Sequence, residues 1–219
     1  RNIEILKTSP GRLHLAHIST RESLYFIRRA KDDGLSDRLT CEVCPHHFAL
    51  TDQVVLEQGA NAKMNPPLRT MDDVAAIQEA LADGVIDAIA SDHAPHSRSE
   101  KKRGIEKAPF GVIGMESVLP VTMTYLVRHG VISLRRAVEL LTVGPAKILG
   151  RKISQIEPGQ SADFVVFDPG QSFKLDCMQS KSRNSPFLGQ TLHGRLLVTI
   201  RRGEVVWRTG QKVVSAARD

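Results

Sequence analysis

The chain has 219 residues, 41% hydrophobic, 5% aromatic and 25% charged, with a formal net charge of +6; this is ordinary globular material, enough for one large or two small domains. Its basic residues are interleaved with acids, and the densest group, residues 98–107, contains Glu100 and Glu106, so no nucleic-acid-binding stripe is expected. No apolar run reaches the roughly 20 residues of a bilayer span, no secretory signal is visible, and three cysteines, an odd number, argue against a disulfide framework and for a reducing cytoplasm.

The first residues read as the last turns of a helix, stopped by Ser9-Pro10-Gly11. A strand over 13–18 follows at once, which is the middle of a βα pattern, so further chain is expected before Arg1. Strict alternation puts Leu13, Leu15 and His17 on one face and His14 and Ala16 on the other, with His17 at the tip. Ser19-Thr20 with Glu22 offers a capped start for a helix over 22–31, closed by Asp32-Asp33-Gly34. A second strand over 39–44 ends in Pro45-His46-His47, and a polar loop carries Lys63 to Arg69. Val74, Ile77 and Leu81 at helical spacing predict a helix over 71–82.

Next comes a short buried strand over 85–90 that breaks into Ser91-Asp92-His93-Ala94-Pro95-His96. Pro95 ends regular pairing, which leaves Asp92 at the strand's C-terminal tip, the active-site edge of parallel α/β folds. There Asp92 can hold a metal or move a proton, with His96 in reach of the same pocket; as a structural alternative, Asp92 caps a turn beside two solvated histidines. Residues 97–107, rich in charge and containing Gly104, are a candidate lid. A helix entered near Pro120 runs to about residue 130, and Ser133 caps another over 134–141. From Gly150 the texture is β-rich, so an α/β portion over 1–150 precedes a small β portion over 151–219.

Cys41-x-x-Cys44 followed by His46 and His47 is half of a zinc-ribbon pattern, but the third cysteine, Cys177, is distant, and alternation puts Cys41 and Cys44 on opposite faces. His47 reads as a structural histidine. The sharper pair is His17 and Asp92 at strand tips, with Asn65 and His96 in the intervening loops. One His and one Asp fall short of the three protein ligands of a catalytic zinc.

In order along the chain, His17-Ile18-Ser19-Thr20, Glu42 to His47, Lys63 to Arg69, Ser91 to His96, Ala108 to Gly111, Gly159-x-x-Ala162-Asp163 and Lys181 to Gly189 closely resemble the dihydroorotases, in their longer bacterial type, within the cyclic amidohydrolases. The match covers the C-terminal half of such an enzyme. It implies a (β/α)8 barrel, with residues 12–92 supplying strands six to eight, followed by a small β domain. It also implies one or two zinc ions, with His17 as a ligand and Asp92 as both a metal contact and the proton-transferring group. Asn65, His96 and the segment Pro109, Phe110 and Gly111 would bind the substrate, and the remaining ligands are expected upstream of residue 1. The implied reaction interconverts dihydroorotate and N-carbamoyl-aspartate. The implied partners are the N-terminal half of the same protein and, beyond it, a homodimer or an aspartate transcarbamoylase complex. A non-catalytic scaffold of that complex, an allantoinase or a dihydropyrimidinase are the alternatives. Residues 1–219 alone, with three barrel strands and open edges, are expected to be inactive and aggregation-prone.

Overall fold

The structure, a computed structural model, describes residues 1–153, 155–176 and 178–210; Cys177 lies outside the described residues. Helix α1 (Asn2–Thr8) leads to β1 (Leu13–Leu15), α2 (Arg21–Ala30) and β2 (Leu39–Val43). The short helices α3 (Pro45–Ala49) and α4 (Gln53–Gln58) then precede α5 (Met71–Ala82) and β3 (Ala88–Ile89). The three strands form a parallel sheet in the order β1-β2-β3, with Leu13 opposite Leu39 and Val43 opposite Ile89. Between the strands, α2 and α5 lie against each other and bury Leu24, Ile27, Ile77 and Leu81. Burial of these aliphatic side chains, at about 1.5–3 kcal/mol each, is the main force that holds the helices on the sheet.

The α2 start is capped by Thr20, whose hydroxyl accepts from the Ser23 amide. Helix α5 spans the residues that its apolar spacing predicts. The strands are shorter than expected, for two reasons. β1 stops at Leu15 because His17 takes a left-handed backbone, φ 58°, which ends extended pairing. β3 is reduced to Ala88–Ile89 because side chains occupy the carbonyls before it: Lys31 Nζ donates to Val85 O at 2.8 Å and Arg136 Nη2 to Ile86 O at 2.8 Å. Asp87 then takes Lys31 Nζ at 2.8 Å and the Cys41 amide at 2.8 Å. The polar loop carrying Lys63 to Arg69 is present, and helical turns that the sequence did not suggest precede it. Pro45 provides a preset first turn for α3, and a 3-10 turn over Gly59–Ala62 follows α4.

Beyond β3, α6 (Arg98–Lys101) and α7 (Gly104–Lys107) form the connecting loop, and α8 (Val118–Thr122) continues into a π-helical turn, Met123–Val127. The next helix, α9 (Leu134–Leu141), is capped by the Ser133 hydroxyl on the Arg136 amide. After α10 (Val143–Ile148), β4 (Phe164–Lys174), β5 (Thr191–Arg201) and β6 (Glu204–Arg208) make an antiparallel sheet in the order β4-β5-β6. β5 packs on α8 and its π turn at Gly194, φ 88°, where a Cβ would stand 2.5 Å from Met123. Among the described residues no helix is long and apolar enough to cross a membrane.

Candidate active site at the parallel strand tips

The C-terminal ends of β1, β2 and β3 deliver His17, Glu42 and Asp92 to one edge of the sheet. His17 Nε2 lies 3.8 Å from Asp92 Oδ1, and His17 Nδ1 lies 3.0 Å from Glu42 Oε1. Both His17 and Asp92 have positive φ, 58° and 44°. Such a backbone is uncommon for residues other than glycine and costs on the order of 1–3 kcal/mol. Strain of this kind at two facing titratable residues is a mark of functional sites.

The left-handed turn also corrects the expected facing. Alternation would separate His14 from His17, yet both reach the Glu42 carboxylate: His14 Nε2 is 3.4 Å from Oε2, and His14 Nδ1 is 2.9 Å from the Thr40 hydroxyl. The Glu42 hydrogen bond, helped by the Asp92 charge and opposed by burial, raises the His17 pKa above the usual imidazole value. Burial alone would raise Glu42, but the hydrogen bond and charge of His17, joined by His14, hold it below the usual carboxylate range.

Cys44 and the two following histidines lie beneath this edge. Cys41 and Cys44 do different things: Cys41 Sγ donates to Val85 O at 3.4 Å, whereas Cys44 Sγ is 3.2 Å from His17 Nδ1. Cys44, His46 and His47 bring three donor atoms within 4.8 Å of one another, all buried. A closed structural zinc needs four such ligands, and burial pushes the Cys44 thiol well up, with the Asp92 and Glu42 charges adding. His47 Nε2 donates to Pro66 O at 3.0 Å, which makes His47 a tie to the next loop; its Nδ1 and His46 Nε2 have no partner among the described residues.

That loop carries Asn65, which is exposed and follows Met64 in the core. Two ties flank it: Pro66 O is held by His47, and Lys63 O accepts from the Gly111 amide at 2.9 Å. The segment Pro109 to Gly111 is itself largely engaged by protein. Pro109 O accepts from Lys101 Nζ at 3.0 Å, Phe110 O from His96 Nε2 at 2.8 Å and Gly111 O from Asn184 Nδ2 at 3.1 Å. Because Pro109 has no N–H, the free peptide donor of the segment, among the described residues, is the Phe110 amide.

The two imidazoles of the Asp92 stretch divide their roles. His93 Nδ1 accepts from the Gly114 and Met115 amides at 3.2 and 3.1 Å, a structural duty. His96 faces Phe110. Its amide donates to Asn184 Oδ1 at 3.1 Å, and Asn184 Nδ2 also reaches Ala94 O at 2.9 Å. Asn184, 3% exposed, thus joins the Asp92 loop to the Gly111 segment. Its place inside the Lys181 to Gly189 run was the one sequence signal, and it assigned no role. Residues 97–107, expected as a lid, fold into α6 and α7; Ser97 and Glu100 form a capping box, and Lys101 Nζ donates to the carbonyls of Ala60, Lys63 and Pro109.

The described donors suit a metal of the nitrogen- and oxygen-binding kind. A carboxylate only accepts, so the Glu42 oxygen 3.0 Å from His17 Nδ1 suits a proton on that nitrogen, and Nε2 faces Asp92. His17 Nε2 and Asp92 Oδ1 are two donor atoms of the types such a centre uses, 3.8 Å apart.

Residues 12–206 match the model of the Amidohydrolase family. The chain is 45% identical over 213 residues to a dihydroorotase of Endomicrobium trichonymphae, covering 95% of this chain and 50% of that one. It is 41% identical over 214 residues to a dihydroorotase of Caldanaerobacter subterraneus subsp. tengcongensis, covering 97% and 49%. Among solved structures it is similar to an L-hydantoinase (dihydropyrimidinase) from Arthrobacter aurescens, with a TM-score of 0.89 and 30% identity over 97% of this chain and 48% of that one. A dihydropyrimidinase from Brevibacillus agri gives 0.85 and 27%, covering 96% and 48%. The chain spans about half the length of the curated relatives it matches.

Proposed function

The chain belongs to the amidohydrolase family, a metal-dependent group with a TIM-barrel-type fold, and from that premise we propose that the whole protein is a zinc-dependent dihydroorotase. The observation that carries the reading is the meeting of His17 and Asp92 at the tips of β1 and β3, 3.8 Å apart, both with left-handed backbone. In this reading residues 12–92 are barrel strands six to eight, residues 1–150 belong to the barrel, and residues 151–219 form a small β domain. His17 and Asp92 would hold zinc together with ligands outside this sequence. Bound zinc supplies the Lewis acidity that makes water nucleophilic near pH 7.

The rest is done by the chain's own groups. Asp92 takes a proton from the attacking water and passes it to the leaving ring nitrogen, which gives N-carbamoyl-aspartate from dihydroorotate; the synthetic direction is the reverse. Asn65, His96 and the Phe110 amide orient the anionic substrate, while Lys101 and Asn184 keep the Pro109 to Gly111 segment in place. The remainder of the same protein completes the barrel. A homodimer or an aspartate transcarbamoylase assembly, in the cytoplasm, belongs to the same proposal.

The dihydroorotase names among relatives at 41–45% identity favour this substrate over those of hydantoinases and dihydropyrimidinases, which are similar at 27–30%. The test is to assay purified full-length protein with dihydroorotate, allantoin, dihydrouracil and hydantoin. Turnover of dihydroorotate above the others is expected. Preference for another ring would reassign the substrate, and no turnover of any would favour the scaffold.

A further inference from the structure

We propose that Glu42 is a positioning residue of this centre: its carboxylate holds the His17 ring with Nδ1 protonated and Nε2 turned toward Asp92, and His14 steadies the carboxylate from its other oxygen. The inference rests on reading His17 as a metal ligand and goes beyond it, since the family motif brings Glu42 along without a role and does not include His14.

Glu42 is the penultimate residue of β2, and its side chain is 15% exposed between the β1 and β3 tips. It grips the His17 segment twice. The side chain takes His17 Nδ1 at 3.0 Å, and the Glu42 carbonyl takes the Ile18 amide at 3.0 Å. The second oxygen faces His14 Nε2 at 3.4 Å, and the far nitrogen of that ring meets the Thr40 hydroxyl at 2.9 Å.

A neutral imidazole has two tautomers, and only the one protonated at Nδ1 offers Nε2 as a ligand. A carboxylate acceptor at Nδ1 selects that tautomer. The other neighbour of Nδ1, Cys44 Sγ at 3.2 Å, is a weak acceptor and cannot replace it. His17 also lies outside the strand ladder with φ 58°, so its ring direction depends on this side-chain tie.

The experiment compares wild type, Glu42→Gln, Glu42→Asp and His14→Asn in the full-length protein. Zinc affinity is read by chelator competition, and the His17 tautomer by nitrogen-15 NMR of histidine-labelled protein. Glu42→Gln is expected to lose roughly 10- to 100-fold in zinc affinity and to mix the His17 tautomers. Glu42→Asp should recover part of both, and His14→Asn should lose a few-fold at unchanged thermal stability. Unchanged affinity and tautomer in Glu42→Gln overturn the inference. If that variant does not fold, His14→Asn with wild-type affinity and tautomer overturns it instead. His17→Asn separates the two readings: if it leaves zinc binding intact, the ligand reading has failed; if it abolishes binding while Glu42→Gln spares it, only the role of Glu42 has failed.

Discussion

His17 and Asp92 come from strand tips on either side of β2, and each takes a left-handed backbone, φ 58° and 44°, that brings His17 Nε2 to within 3.8 Å of Asp92 Oδ1. The strain at these two positions is offset by the surrounding ties rather than relieved locally. Among ordinary residues Asn and Asp tolerate this conformation best. Asp92→Asn is therefore expected to fold as wild type and keep most of its zinc. Its turnover should fall by roughly 10²- to 10⁴-fold, the usual worth of a positioned general base. Unchanged kcat in a steady-state assay of the full-length variant would remove Asp92 from proton transfer.

Asn184 is the buried clamp between the His96 loop and Gly111. Asn184→Ala strands the His96 amide and the carbonyls of Ala94 and Gly111. A buried group left unpaired costs about 1–3 kcal/mol, and here the Gly111 carbonyl is buried while the other two groups are partly buried. The variant should lose about 3 kcal/mol of unfolding free energy and show a raised KM, measured by urea unfolding and steady-state kinetics.

Lys101 anchors the 97–107 connection on three carbonyls although it is only 7% exposed. These bonds tie the segment to the loop that carries Asn65 and to Pro109. Lys101→Met keeps the apolar stem and removes the donors. KM should rise about tenfold, equivalent to about 1.4 kcal/mol, with kcat little changed. Hydrogen exchange at residues 98–107 and at the Gly111 amide should accelerate, and exchange indistinguishable from wild type would show that the anchor is dispensable.

Burial holds His47 down to about 4, with the Pro66 carbonyl opposing, and holds His46 well below its ordinary value. In the unfolded chain imidazoles titrate near 6.5. Between about pH 6.5 and 4 the unfolded state therefore binds more protons, and stability falls as the pH falls through that window. For His47 the loss by pH 5 is about 2 kcal/mol. Urea unfolding at pH 7 and pH 5 checks this: His47→Gln should show a shallower loss than wild type, and parallel slopes would mean that His47 is protonated in the folded state.

Much of this architecture was legible in the residues because it is local. Val74, Ile77 and Leu81 determined α5, Ser133 marked the α9 start, and the apolar runs into His17 and Asp92 identified two strands and their tips. The motif runs pointed to the family for the same reason, as short stretches whose residue types serve one chemistry. The convergence of His14 and His17 on Glu42 was not legible, because one positive φ at His17 cancels the alternation that the sequence suggests. The helical turns after Pro45 lack apolar periodicity and bury Phe48 and Ala62. Asn184 and Lys101 act on partners distant in the chain, and no local pattern encodes such pairs. Sequence alone determined which residues stand at the strand tips. Only the tertiary structure decided which of them touch, since contact across parallel strands depends on register, backbone hand and packing that no single segment contains.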